Sequence, residues 1–459
     1  MMLNTSHYLT FATVTTLVFC GLAQYVTGIT SFFWLPCILA LMMVGMQLMQ
    51  KRYKSRPLDL KEWIVFLLFF SGIGVAMVST ILQGGITVTI IGFKNTFCLS
   101  LVMYCLIAGF VNQDQLYRAS KVFYAIYYAQ FPAILYQIFV IVPQRVAIKG
   151  DTEKWDSVVG TFGGEKFNGG NSAALGMFCL FIILLKLSEY KHGVCSKRSL
   201  ILHACSAFAI CILGEIKFVI MLAPFMMAYI WLSSSYLKGM KTYSVKTLLM
   251  IDLSSLALVT LAAYILGMVY ANTASFYSDP TKSPFMVFWD SIEYVFDPNY
   301  IMDGGQIGRM TTVFFWHNHS DLHGIAGRLF GYGLNSTNHG SAMSRGFLDL
   351  KFNLELDSTS LGALLWETGF VGAMLYISLI IYVFKITKPI PVLDPNKLCK
   401  DEIQFMSMQA AFRAFMIVIL CSIPYSQILI HVSGLQYLFY FCMGASLVIR
   451  RTVLTNIGK

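Results

Sequence analysis

The chain has 459 residues, 57% of them hydrophobic and 12% charged, with a mean hydropathy of +0.66. That composition is too apolar and too charge-poor for the surface of a soluble globule, so lipid is the solvent expected for most of it. The formal net charge of +10 does not indicate a nucleic-acid partner, because the basic residues collect in short segments between apolar runs and form no continuous stripe.

A helix that crosses a bilayer needs roughly 20 apolar residues. Runs of this kind occur near 8–28, 31–50, 61–82, 94–112, 122–143, 172–187, 200–215, 218–233, 248–270, 359–384, 405–424 and 433–449, which predicts an all-α polytopic membrane protein of about 12 transmembrane helices. The first run has almost no preceding basic region and no small-residue cleavage site, so it reads as a retained helix and not a signal peptide. Most of the 11 cysteines, among them Cys98, Cys105, Cys179, Cys205, Cys421 and Cys442, lie inside such runs as small hydrophobes, and no structural disulfide is expected.

Positive charge alternates along the connections. One set carries Lys51, Arg52, Lys54 and Arg56; Arg118 and Lys121; Lys191, Lys197 and Arg198; Lys238, Lys241 and Lys246; Lys385, Lys388, Lys397 and Lys400; and Arg450, Arg451 and Lys459. The positive-inside rule puts these in the cytoplasm, and with them both termini. Two connections on the opposite side are long, 144–171 and 271–358, and rich in Gly, Asn, Asp and Ser. The longer holds amphipathic stretches at 284–296 and 310–330, expected as short helices over the membrane mouth. With no internal repeat or low-complexity tail, residues 1–459 read as a single integral membrane domain with the 271–358 loop inside it.

Three stretches carry residues suited to chemistry. The shorter loop runs into DSVVGTFGGEKFNGGNSAALGMF, with Gly160-Thr161-Phe162 and then Asn171. The longer loop contains GRMTTVFFWHNHSDLHGIAGRLFGYGLNS, in which Arg309 opens an apolar-aromatic helix and Gly331-Tyr332-Gly333 makes a turn that small residues favour. Asp357-Ser358-Thr359 then stands at the mouth of the tenth apolar run, ahead of Gly362, Glu367, Gly369 and Gly372.

Taken together these stretches resemble the Wzy-type polysaccharide polymerases and the related O-antigen ligases. Members have many spans, an outside Gly-Thr-Phe segment followed by Asn, a large late loop with an Arg opening a helix and a Gly-x-Gly further on, and a polar residue before a Gly-rich span. The likeness covers most of the chain in outline and some 50 residues in motif. It implies a GT-C-like fold in a bacterial inner membrane and transfer of glycan repeats from undecaprenyl pyrophosphate. It also implies a flippase and a chain-length regulator as possible partners, and no cofactor. The ligases generally have a histidine where this chain has Asp357-Ser358, which favours the polymerase branch and leaves the base open. The Ser-Arg-Gly-like turn often found after the seventh span is replaced by Gly214-Glu215-Ile216-Lys217.

The chemistry asks for such residues. A departing pyrophosphate needs its charge stabilised, which the planar, permanently charged fork of arginine does well. An acceptor hydroxyl needs a carboxylate or histidine to orient it and take its proton. Arg309, Asp357 and His319 are therefore the candidate catalytic residues. Arg328, Arg345, Lys94, Lys217 and Asn171 are candidates for substrate binding. His319 and His323 also fall at the i, i+4 spacing of helical metal ligands, but no cysteine or HExxH accompanies them. Ligase-type transfer to another acceptor, and a transporter or flippase, remain the alternatives.

Overall fold

The computed structural model describes residues 5–49, 58–150, 157–167, 169–240, 245–272, 281–302, 304–339 and 345–457. Lys51, Arg52, Lys54, Arg56, Lys241 and Lys459, and 151–156, 168, 273–280, 303 and 340–344 of the two long connections, lie outside the described residues.

The protein is 77% helical. In chain order the helices are α1 (Thr5–Thr27), α2 (Thr30–Met49), α3 (Leu60–Thr96), α4 (Ser100–Ile107), α5 (Gln113–Lys149), α6 (Ser172–Lys191), α7 (Lys197–Leu213), α8 (Lys217–Leu232) and α9 (Val245–Asn272). The long connection contributes α10 (Pro284–Glu293), α11 (Arg309–His319), α12 (Gly324–Phe330) and α13 (Phe347–Phe352). The chain then returns through α14 (Ser360–Ile386), α15 (Lys400–Ser422), the single turn α16 (Ile428–His431) and α17 (Ser433–Ile457). Among the described residues, eight helices (α1, α2, α3, α5, α6, α14, α15 and α17) are long and apolar enough to cross a membrane, which is the architecture of a multi-pass membrane protein. The predicted runs at 200–215, 218–233 and 248–270 fall on α7, α8 and α9. The run at 94–112 is not one helix, since α3 continues to Thr96 and α4 has only 8 residues.

Helices α6, α15 and α17 bury most of their length, while α2, α3 and α14 turn most of theirs outward, the division expected between the centre of a bundle and its lipid-facing rim. At the centre the buried rings of Phe123, Phe181, Phe412 and Phe441 meet edge-on and stacked, with centroids 5.1–6.3 Å apart. In lipid, such van der Waals packing has to supply what the hydrophobic effect supplies in water.

Two helices are broken at glycine. Gly85 in α3 (φ 74°, ψ −177°) and Gly369 in α14 (φ 68°, ψ −177°) share one conformation, open essentially to glycine alone. A break strands carbonyls that cannot be left bare at membrane depth, and in α14 the long loop donates to three of them. Leu365 O accepts from Trp316 Nε1 (3.1 Å), Trp366 O from Tyr332 N (2.8 Å) and Glu367 O from Gly333 N (3.0 Å). On the α3 side Gly331 O accepts from Ser79 Oγ (3.3 Å) and Gln83 Nε2 (3.0 Å), and Leu334 N donates to Thr80 Oγ1 (2.8 Å). The Gly331-Tyr332-Gly333 turn is thus wedged between two broken helices, capping backbone carbonyls of α14 and bonding to side chains of α3.

A Cβ on Gly331 (φ 77°) would stand 2.5 Å from the Glu367 carbonyl and from Gly369 N, both backbone. Gly331→Ala is therefore expected to cost about 2–5 kcal/mol, backbone strain and overpacking together. The check is the melting temperature of detergent-solubilised protein against Gly74→Ala, a helical position with open space around it. An unchanged Tm for Gly331→Ala would contradict the wedge.

The Gly160-Thr161-Phe162 segment is buried inside the bundle, not displayed at its surface. Gln137 Oε1 accepts from Val159 N and Gly160 N (2.9 Å each), Gln130 Oε1 from Thr161 N (2.8 Å), and Gln24 Oε1 from Gly164 N (2.8 Å). Thr161 Oγ1 donates to Leu17 O (2.7 Å), inside a π-helical turn at Thr15–Phe19, and Gln137 begins a second such turn at Gln137–Ile141. Both helical irregularities lie where the helices meet this inserted segment, so they serve its docking.

Candidate functional site

The site forms where the N-terminus of α14 meets the link between α15 and α17. The first turn of any helix leaves N–H groups without partners. Here Thr359 Oγ1 accepts from Gly362 N (2.9 Å), Ser426 O from Ser360 N (3.0 Å) and Ile423 O from Leu361 N (2.8 Å). Pro424 and the polar residues that follow it interrupt the apolar run, and α16 lifts His431 against the same mouth.

Asp357 is 5% exposed, and its Oδ2 lies 3.2 Å from His431 Nε2. A carboxylate only accepts, so Nε2 carries the proton and the lone pair of the neutral ring is on Nδ1. The His431 side chain is 36% exposed, so part of the ring is within reach of a ligand. Burial works against charge on the ring, but the hydrogen bond and charge of Asp357, with Glu367 behind it and Lys94 opposing, hold its pKa above the ordinary value.

Arg309 is the first residue of α11, and its Nη1 donates to Ser358 O (3.0 Å), the residue after Asp357. Thr312 Oγ1, one turn along, is 3.1 Å from Ser358 Oγ. Arg309 Nε is buried with no hydrogen-bond partner among the described residues, an orphan donor of the kind that costs free energy until a ligand satisfies it. The guanidinium carbon is 5.7 Å from the centre of the Tyr425 ring. Tyr425 also stacks on Phe218 at 4.7 Å, and burial followed by the Tyr294 charge pushes its hydroxyl up to about 12, so it stays neutral.

Beyond Tyr425 opens an apolar cavity of about 280 Å³ between α8 and the 292–296 end of the α10 segment, lined by Phe218, Leu222, Phe225, Val295 and Phe296 with Lys217 at its edge. Lys217 Nζ donates to Ser291 O (3.2 Å). One aromatic ring therefore separates a greasy recess from the Arg309 guanidinium.

Of the residues singled out in the sequence, Arg309 and Asp357 come together through Ser358, and Lys217 lies across Tyr425 from Arg309. Lys94 lies in the last turn of α3, close enough to His431 for its charge to be felt there. His319 is elsewhere: ten residues along α11 from Arg309, about 15 Å at helical rise, with its ring stacked on Phe315 at 4.2 Å and Nδ1 on Phe315 O (3.0 Å). Arg328 Nη2 donates to His317 O (2.6 Å), and Arg345 pairs with the buried Asp349, which His339 Nδ1 also meets at 2.7 Å. Asn171 Nδ2 donates to Phe162 O (2.9 Å) and so holds the inserted segment.

Glu355 and Asp357 diverge, the first toward His339 Nε2 (3.7 Å) and the second toward His431. Among the described residues no three His, Cys, Asp or Glu side chains gather as a metal site. His431 escaped the sequence reading, although a histidine after Pro424 in a link at the same end as the long loop was a signal that could have found it. No protein-family model and no curated protein matches the chain.

Proposed function

We propose that the protein is a membrane glycosyltransferase that moves a glycan from a polyprenyl pyrophosphate to a sugar hydroxyl, acting as a Wzy-type polymerase of lipid-linked repeats with ligase-type transfer as the close alternative. In this reading the chain crosses a bacterial inner membrane about twelve times in a GT-C-like arrangement with both termini in the cytoplasm, and the site faces outward. The observation that carries it is the conjunction of a carboxylate–histidine pair, an arginine with an orphan donor and an apolar cavity within one helix mouth.

The roles follow from charge and geometry. The acceptor hydroxyl gives its proton to Nδ1 of neutral His431, which Asp357 holds in the right tautomer. The freed oxygen forms its bond to the anomeric carbon as the bond from that carbon to the pyrophosphate oxygen breaks. The electron pair departs with the pyrophosphate, whose growing charge Arg309 meets with its unused N–H groups and Lys217 meets across Tyr425. The polyprenyl chain occupies the cavity beside Phe218 and Phe225.

The pH dependence tests the base. A ring protonated below its raised pKa cannot accept a proton, so the transfer rate of purified protein is expected to climb with pH until His431 is neutral, with a midpoint above 6.5. Asp357→Asn leaves an amide oxygen as acceptor but removes the charge that helps hold the pKa up, and so moves this limb toward lower pH while lowering the plateau. A limb left in place by Asp357→Asn counts against the pair.

Broken helices such as α3 and α14 are also a device of transporters, although here the loop caps the break in α14. Deleting the gene and analysing surface polysaccharide separates the readings. Single-repeat products support the polymerase, loss of attachment the ligase, and internal accumulation of lipid-linked repeats the flippase.

A further inference from the structure

The transferase reading gives Arg309 and Lys217 a task and leaves a third cation, Lys94, without one. Its ammonium donates to Asn95 Oδ1 (2.9 Å), sits 5.5 Å from the centre of the Trp34 ring and forms no ion pair among the described residues. A lysine has three N–H donors, so two remain for a ligand. Trp34 is 38% exposed, enough to offer an apolar surface to a sugar ring.

The position is fixed relative to the base. Gln436 Nε2 donates to Asn95 O and to Ile430 O (2.6 Å each), tying the end of α3 to the residue before His431. Asn95 Nδ2 donates to Asn335 Oδ1 (3.3 Å), beyond the wedge turn. Arg309 approaches from the other element, through Ser358 and Tyr425. The carboxylate of Asp357 lies against His431, and an anionic acceptor would be repelled there without a cation of its own.

We propose that Lys94, with Trp34 and Asn95, binds an anionic group on the acceptor glycan and so selects charged acceptors, an assignment that rests on the transferase reading. The aromatic face packs against the sugar and the ammonium pairs with a carboxylate or phosphate substituent. The donor pyrophosphate stays with Arg309 and Lys217.

Calorimetric titration of the full chain in nanodiscs tests this with defined probes: geranylgeranyl pyrophosphate for the donor side, and methyl glucuronide, methyl glucoside 6-phosphate and uncharged methyl glucoside for the acceptor side. The wild type is expected to bind one of the charged sugars about tenfold more tightly than methyl glucoside, an ordinary return for one ion pair with part of its hydration removed. Which one distinguishes a uronic acid from a phosphate. Lys94→Met is expected to abolish that preference and leave pyrophosphate binding intact, and Lys94→Arg to keep most of both. Equal weakening of pyrophosphate binding by Lys94→Met and Arg309→Ala would overturn the assignment by placing Lys94 on the donor. Intact pyrophosphate binding with no charge preference among the sugars would overturn it alone, whereas no pyrophosphate binding by the wild type would take the transferase reading down with it.

Discussion

Replacing His431 by glutamine is expected to lower the rate of glycosyl transfer by about 10²- to 10⁴-fold, the usual contribution of a positioned general base, with the protein still present in the membrane at its normal level. Glutamine can keep a donor to Asp357 Oδ2 but has no basic nitrogen to accept the hydroxyl proton. The ring is 36% exposed and among the described residues its side chain pairs with Asp357, so little of the fold depends on it. Initial rates of purified protein on a polyprenyl-pyrophosphate-linked oligosaccharide, with membrane abundance as the control, measure this. A fall of less than about threefold would mean that another group takes the proton, since a base in the Brønsted sense cannot be lost so cheaply.

Arg309→Ala is expected to reduce the rate by about 10²- to 10³-fold, the loss typical of one preorganised donor at a developing charge, and Arg309→Lys to recover little of it. The reason is geometric. Arg309 already spends Nη1 on Ser358 O, its buried Nε has no partner among the described residues, and the planar fork carries five N–H donors in all. The lysine ammonium is a point charge that cannot span both partners in one plane. Full activity in Arg309→Lys would reduce the residue to a general cation, and full activity in Arg309→Ala would remove it from the site.

Much of this architecture is legible in the sequence, because length and apolarity are what a bilayer demands. Arg309 at the start of a helix, the turn at Gly331 and Gly333, and a polar Asp357-Ser358-Thr359 ahead of α14 all follow from local signals, and all stand where the residues predict. The breaks at Gly85 and Gly369 do not, since a single glycine hardly moves the hydropathy of a 20-residue run. For the same reason 94–112 reads as one span although α3 and α4 divide it.

Pairings made across the fold were harder still. His431 and Asp357 stand far apart in the chain, and nothing local to either announces the other. Arg328, Arg345 and Asn171 carry the right chemistry for a substrate but already serve His317, Asp349 and Phe162. The Gly160-Thr161-Phe162 segment reads as an outside loop because glycine-rich stretches usually are. The glutamines that bury it, Gln24, Gln130 and Gln137, sit in helices and look there like ordinary polar interruptions.

The most direct test of the central claim is reconstitution of the purified full chain in liposomes with a polyprenyl-pyrophosphate-linked oligosaccharide as the only glycan. A ladder of longer lipid-linked glycans is expected, with one polyprenyl pyrophosphate released for each bond formed, and neither in the His431→Gln protein. Oligosaccharide recovered at its original length with no pyrophosphate released, whether it stays in place or appears unchanged in the opposite leaflet, would contradict it.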